Sequence, residues 1–285
     1  MSDTLVSTAW LQDNLDRPDI RVFDCAVILR PAKPGPYEIE SGRAVYDKGH
    51  IPGAGFLDLT RDFSDPEAKL NFTKPSPAQM QAALSAHGIG NEHHAVLYSS
   101  TVTMWATRMY WMLRASGHDN VSVLDGGFAK WRAEQRAVSQ QATSYAPTSF
   151  AASPRPSYWA DRNEVLASIG AGEICTLNAL SREVFTGESN VNYGRKGHIK
   201  GSVNVPYATV LNEDGTFKSP SELTPLFETA GALSRQRVIC YCGGGISATI
   251  PALALTLLGH PNVAVYDGSM SEWVRDPSLP MEMGG

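Results

Sequence analysis

The chain reads as α/β, built from two tandem copies of one domain, each a mostly parallel sheet flanked by helices. Three observations predict this. First, the chain repeats itself: Gly49-His50-Ile51-Pro52-Gly53-Ala54 returns as Gly197-His198-Ile199-Lys200-Gly201-Ser202, and residues 117–131 match 259–273 at eight of 15 positions, including Asp125-Gly126 with Asp267-Gly268 and Trp131 with Trp273. The offsets are 148 and 142, in the same order along the chain, the pattern of a duplicated domain. Second, short β-branched runs alternate with helical patterns in both halves, which implies parallel strands covered by helices. Third, residues 138–157 are rich in Ser, Gln, Ala, Thr and Pro with little apolar periodicity, as an inter-domain linker is. The expected domains are therefore 1–137 and 158–285.

In the first half, Ile20 to Phe23, Ala95 to Tyr98 and Val121 to Leu124 read as strands, with helices over Pro77 to Ala86 and Met104 to Ala115. The second half repeats the series: strands over Glu173 to Leu177, Val238 to Tyr241 and Val263 to Tyr266, helices over Ser221 to Thr229 and Ala248 to Leu258. Composition agrees with a globular chain: of 285 residues, 42% are hydrophobic and 19% charged, enough for full cores. The net charge of −5 and the lack of a basic stretch argue against a nucleic-acid partner. Four cysteines (Cys25, Cys175, Cys240, Cys242) are too few and too unevenly spaced for a secreted disulfide framework. Met1-Ser2-Asp3-Thr4 lacks the charged and apolar regions with which a signal peptide opens, so none is expected. The longest apolar run, Ile246 to Leu258, is interrupted by Ser247, Thr249, Pro251 and Thr256, and is shorter than the roughly 20 residues that span a bilayer. The expectation is a cytoplasmic protein with no membrane partner.

Sites in parallel sheets form beyond the carboxyl ends of strands. One such loop carries chemistry: Cys242-Gly243-Gly244-Gly245-Ile246-Ser247, between a strand and a helix. Three glycines let the backbone curl with its N–H groups turned inward, a nest that holds an anion, and the helix end adds partial positive charge. Both effects favour a thiolate, the nucleophilic form of cysteine. The competing reading is an inert buried cysteine beside a glycine turn. With the 142 offset, Cys242 falls on Ser100, so the first half lacks the nucleophile and its loop, Ser100-Thr101-Val102-Thr103-Met104-Trp105, lacks glycine. A cysteine phosphatase would place an arginine six residues after the nucleophile; here that residue is Ala248, and no basic side chain lies between Cys242 and His260.

Taken together, these motifs resemble the two-domain rhodanese (sulfurtransferase) family over nearly the whole chain. The marks are Tyr46-Asp47-Lys48-Gly49-His50-Ile51-Pro52-Gly53-Ala54, Leu124-Asp125-Gly126-Gly127 with Trp131, the Cys242 loop, and Tyr266-Asp267-Gly268-Ser269 with Trp273. The resemblance implies tandem rhodanese-like domains, the first inactive, the second carrying sulfane sulfur as a Cys242 persulfide from thiosulfate or 3-mercaptopyruvate to a thiophilic acceptor such as cyanide, a small thiol or a protein thiol. Neither a metal nor an organic cofactor is implied. Gly243, Gly244, Gly245, Ile246 and Ser247 are expected to hold the persulfide. The neutral loop is similar to that of mercaptopyruvate-type members. The family's Asp-x-Arg after the first strand of this half is here Asn178-Ala179-Leu180, and a further arginine expected before Phe185 is Val184. Arg182 and Arg195 are the candidates to supply the missing cation.

Other residues read as structural. Cys240 shares a strand face with Cys242 and reads as a small core residue. His50 and His198 recur in both halves, including the one without a nucleophile. His93-His94 has no further ligand at metal spacing. Asp58, Arg61 and Arg108 are candidates to face the cleft between domains, and Trp105 to fill the vacated loop of the first half. The rival function is a non-catalytic binding module that keeps the fold for partner recognition.

Overall fold

A computed structural model describes residues 3–31 and 37–285; Met1 and Ser2 of the N-terminal stretch lie outside them. The strands are β1 (Leu5–Val6), β2 (Ile20–Asp24), β3 (Val27–Pro31), β4 (Tyr37–Ser41), β5 (Gly55–Phe56), β6 (His94–Tyr98), β7 (Val121–Leu124), β8 (Trp159–Ala160), β9 (Ile174–Asn178), β10 (His198–Ile199), β11 (Val203–Asn204), β12 (Arg237–Tyr241), β13 (Val263–Tyr266) and β14 (Met281–Glu282). Ten of them form two five-stranded sheets, β1-β7-β6-β2-β5 and β11-β9-β12-β13-β8, in which every pairing is parallel, while β3 with β4 and β10 with β14 make two antiparallel pairs. This is the predicted α/β architecture. The near-continuous burial of β6 and β12 explains why both read as unbroken apolar runs rather than alternating ones.

The repeat extends to details. The helices Pro77–Ala86 and Pro220–Thr229 both begin with Pro after a serine cap, and both close a capping box, Ser76 with Gln79 and Ser219 with Glu222. The helices Met104–Ala115 and Thr249–Leu257 pack against each other at the centre of the molecule. There the Thr107 and Thr249 hydroxyls meet at 2.7 Å, both fully buried. These two residues are 142 apart, so the pair marks a pseudo-twofold axis between the halves.

Residues 138–157 do not hang free. Ser139 bridges to His50, the Tyr145 hydroxyl donates to Gly53 O at 2.8 Å, Phe150 is buried in the core, and Arg155 forms an ion pair with Asp119. Two aromatic anchors in a polar run turn the connection into a strap across the first half. The chain then joins the second sheet at β8. No helix among the described residues is long and apolar enough to cross a membrane.

Candidate active site

Cys242 directly follows β12 and is 2% exposed. It sits on the floor of a cavity of about 380 Å³ between the halves. The second half supplies Gly243, Gly244, Ile246, Ser247, Leu180, Tyr193 and Tyr207 to its walls; the first supplies Leu29, Ile39, Phe72, Met104 and Trp105.

The loop is organised by its carbonyls. Cys242 O accepts from Met270 N at 3.1 Å, and Gly243 O from both the N–H and the hydroxyl of Ser271 at 2.8 Å. Gly245 O accepts from the Arg108 guanidinium at 3.2 Å, and Ile246 O from Thr249 Oγ1 at 2.7 Å. In a trans peptide the C=O and the following N–H point in opposite directions. Anchoring these four carbonyls therefore turns the N–H groups of Gly243, Gly244, Ile246 and Ser247 to the other side. Among the described residues, no N–H from Gly243 through Ser247 has a protein acceptor, and the Ser247 hydroxyl has no partner. Five consecutive N–H donors are thus left open beside a cysteine, the kind of donor set from which anion nests are built. Gly245 adopts φ +76°, which only glycine takes without strain.

Ser269 holds the loop from beneath: its hydroxyl accepts from Cys242 N at 3.1 Å and donates to Tyr266 O. It does so in a left-handed conformation, φ +47°, strained for a residue with a side chain. Tyr193 lies over Gly243. Burial, then the neighbouring Cys242, pushes its phenol up, so it stays a protonated O–H at neutral pH. The remaining thiols differ sharply in setting. Burial pushes Cys25 and Cys240 well above the usual thiol range and Cys175 up to about 11. Cys240 is a core residue, as its place on the strand implied.

The first-half loop corrects one expectation. Tyr98 and Tyr241 occupy the same place: each pairs with the end of the neighbouring strand, Asp24 or Asn178, and each hydroxyl accepts from the Gly-His-Ile motif, at Ile51 N and Ile199 N. Their offset is 143, while the threonines on the axis are 142 apart. The first loop is thus one residue longer, and Ser99, not Ser100, follows its strand as Cys242 follows β12. Ser100 instead turns back, its N–H and hydroxyl both donating to the Asp24 carboxylate. Burial pushes the Asp24 carboxyl from 3.8 up to about 6, outweighing the hydrogen bonds from Ser100 and Ala26. A carboxyl raised by folding contributes stability at low pH that is lost as pH rises through this window. The stability of Asp24→Asn should therefore rise relative to wild type between pH 4 and 6, and denaturant titrations showing a constant difference would contradict this.

Neither candidate cation reaches the cavity. Arg182 is exposed and bonds Gly285 O, and Arg195 is bonded to Asp276 O and Leu279 O at 3.2 and 3.0 Å. Both were close to the motif in sequence, but their side chains are committed to the C-terminal segment. The cations that do line the cavity are Lys69 and Arg275, both exposed. Sequence spacing carried no signal for either. Asn178, in the place of the family's Asp, is fully buried and caps a turn, accepting from Leu180 N at 2.8 Å. Asp58 binds Ser41 and Thr60, and Arg61 lines a neighbouring cavity. Trp105 is buried and walls the cavity between the halves. His50 stacks on Tyr46 and His198 on Phe185, each bonding that residue's carbonyl, so both are structural.

Comparison with known proteins agrees with this geometry. The model of the rhodanese-like domain matches residues 7–134 and 182–276. Thiosulfate sulfurtransferase of Rattus norvegicus is 34% identical over 280 residues, covering 95% of this chain and 92% of the relative. A Pseudomonas aeruginosa protein named "Probable 3-mercaptopyruvate sulfurtransferase" is 34% identical over 291 residues, covering 99% of both chains. The crystal structure of SseA from Escherichia coli, described as a 3-mercaptopyruvate sulfotransferase, superposes with a TM-score of 0.83 at 30% identity, covering 95% of this chain and 100% of that one. With its duplicated parallel sheets, the chain belongs to the two-domain rhodanese family of sulfurtransferases.

Proposed function

We propose that this protein transfers sulfane sulfur through a persulfide on Cys242, with 3-mercaptopyruvate as the preferred donor and the first domain, 1–137, lacking chemistry of its own. The open N–H groups of Gly243, Gly244, Gly245, Ile246 and Ser247 carry the reading: a core loop gains nothing by leaving five donors unpaired, whereas a sulfur anion needs them. A binding module has no use for that arrangement.

Cys242 Sγ attacks the donor's sulfur and an S–S bond forms. The S–C bond breaks, its electron pair leaving as the enolate of pyruvate, which takes up the donor's thiol proton at carbon. A thiophile such as cyanide then attacks the outer sulfur, the S–S bond breaks, and the cysteine thiolate returns. The nest holds the outer sulfur's charge, and Ser247 Oγ–H and Tyr193 Oη–H offer further donors.

The donor preference follows from where positive charge lies. In thiosulfate the anionic group is bonded directly to the transferred sulfur, so its charge must enter the loop, which holds no cation. In 3-mercaptopyruvate the carboxylate is separated from sulfur by two carbons, and it can reach Lys69 and Arg275 among the cavity walls. Sulfur transfer to cyanide, compared with the two donors, tests this: 3-mercaptopyruvate should be the better substrate, and a preference for thiosulfate would contradict the assignment. Lys69→Ala and Arg275→Ala should each raise KM for the anionic donor by about tenfold, with kcat little changed. An unchanged KM in both would remove them from donor binding. The acceptor and a cytoplasmic setting, where thiols remain reduced, belong to the same reading.

A further inference from the structure

We infer that Arg108, on a helix of the domain without the nucleophile, is a positioning residue for the sulfur-transfer loop; the inference rests on the sulfurtransferase reading above. Arg108 is 1% exposed. Its guanidinium crosses the domain boundary and binds three acceptors: Gly245 O at 3.2 Å, the Asp267 carboxylate at 2.6 Å, and Phe72 O at 2.8 Å in the segment that walls the cavity. Asp267 is held from its other oxygen by Lys74 N at 2.9 Å. The backbone of Asp267 lies directly against Gly245. The planar fork of arginine suits this task, since its N–H groups diverge in fixed directions.

The consequence for chemistry follows from peptide geometry. Holding Gly245 O fixes the plane of the Gly245–Ile246 peptide, and with it the direction of the Ile246 N–H. Of the four anchored carbonyls, those of Cys242, Gly243 and Ile246 are held from within the second half. Gly245 O alone is held from across the boundary. The nest is therefore complete only when the two domains are docked.

The pseudo-twofold axis supplies an internal comparison. Thr107 corresponds to Thr249, so Arg108 corresponds to Ile250. Other parts of the interface are kept in both directions: Asp267 accepts from Lys74 N, and its counterpart Asp125 accepts from Phe217 N at 2.8 Å. The arginine is present only on the side that faces the cysteine loop; at the symmetry-related position of the second half there is an isoleucine. Were Arg108 needed only to dock the domains, nothing would tie it to the side with the nucleophile.

Two variants separate positioning from docking. Arg108→Lys keeps a cation beside Asp267 but has one nitrogen where Arg108 uses two, Nη1 on Gly245 O and Nη2 on Asp267 and Phe72 O. The pair Arg108→Met with Asp267→Asn removes the guanidinium without stranding a buried carboxylate, and Asn can still accept from Lys74 N. Thermal midpoints and steady-state transfer from 3-mercaptopyruvate and from thiosulfate to cyanide would be measured for both and for wild type. Positioning predicts folded proteins whose kcat falls about 100-fold, with KM nearly unchanged, because the loop loses transition-state alignment rather than donor contacts. Either variant folded and with wild-type kcat would overturn the inference. Wild type transferring sulfur from neither donor would instead overturn the sulfurtransferase reading, and this inference with it.

Discussion

Cys242→Ser should lose sulfur transfer by roughly 10⁴-fold or more, the scale expected when a covalent nucleophile is removed. The hydroxyl is similar in size, and the backbone bonds of residue 242 to Ser269 and Met270 do not involve the side chain, so the fold should persist. A serine in the same nest cannot carry sulfane sulfur as an anion. Cys240→Ala is the matched control: Cys240 is fully buried in the sheet, two residues away, and its substitution should cost stability but not transfer. Comparable losses from both variants would mean that the loop's integrity, and not the Cys242 sulfur, is what matters.

Gly245→Ala should also disable the loop. A β-carbon there would lie 2.5 Å from Asp267 O, and the residue needs φ +76°. The obstacle is backbone, pinned through Asp267 to Arg108 and Lys74, so the loop must move instead. Moving it rotates the peptide that aims the Ile246 N–H. Activity should fall about 10²-fold or further, with a stability loss of about 1–2 kcal/mol from the left-handed backbone alone. Gly244→Ala meets nothing closer than Ser271 Oγ at 3.9 Å and should lose much less. Equal losses at the two glycines, measured as kcat with Tm alongside, would contradict this account of the nest.

The residues that were legible in the sequence share a feature: their signal is local. The strands β6, β7, β12 and β13 are read from short apolar, β-branched runs, the helix Met104–Ala115 from its helical pattern, and the Cys242 loop from glycines at a strand-to-helix junction. What escaped is assembled from distant chain. The antiparallel pair β3 and β4, which brings Leu29, Tyr37 and Ile39 to the cavity, is interrupted in sequence by Ala32-Lys33-Pro34-Gly35-Pro36, which carries no strand pattern. Lys69 and Arg275 are 206 positions apart and meet only because the halves dock. Arg182 and Arg195 were reached by the opposite error, closeness along the chain taken for closeness in space. Arg108 was legible only as a residue near the cleft; its role appears once its three acceptors are in view. The mispairing of Ser100 with Cys242 came from a single extra residue in a loop, which a constant offset cannot register.

Mapping sulfur onto the protein identifies the cysteine that carries it. After treatment with 3-mercaptopyruvate and removal of excess donor, mass spectrometry of the digested protein should find one added sulfur atom on the peptide bearing Cys242, and cyanide should discharge it as thiocyanate. Cys25, Cys175 and Cys240, buried with raised thiol pKa values, should carry none. An unmodified Cys242 peptide after exposure to 3-mercaptopyruvate and to thiosulfate, or added sulfur on one of the other three cysteines instead, would contradict the account.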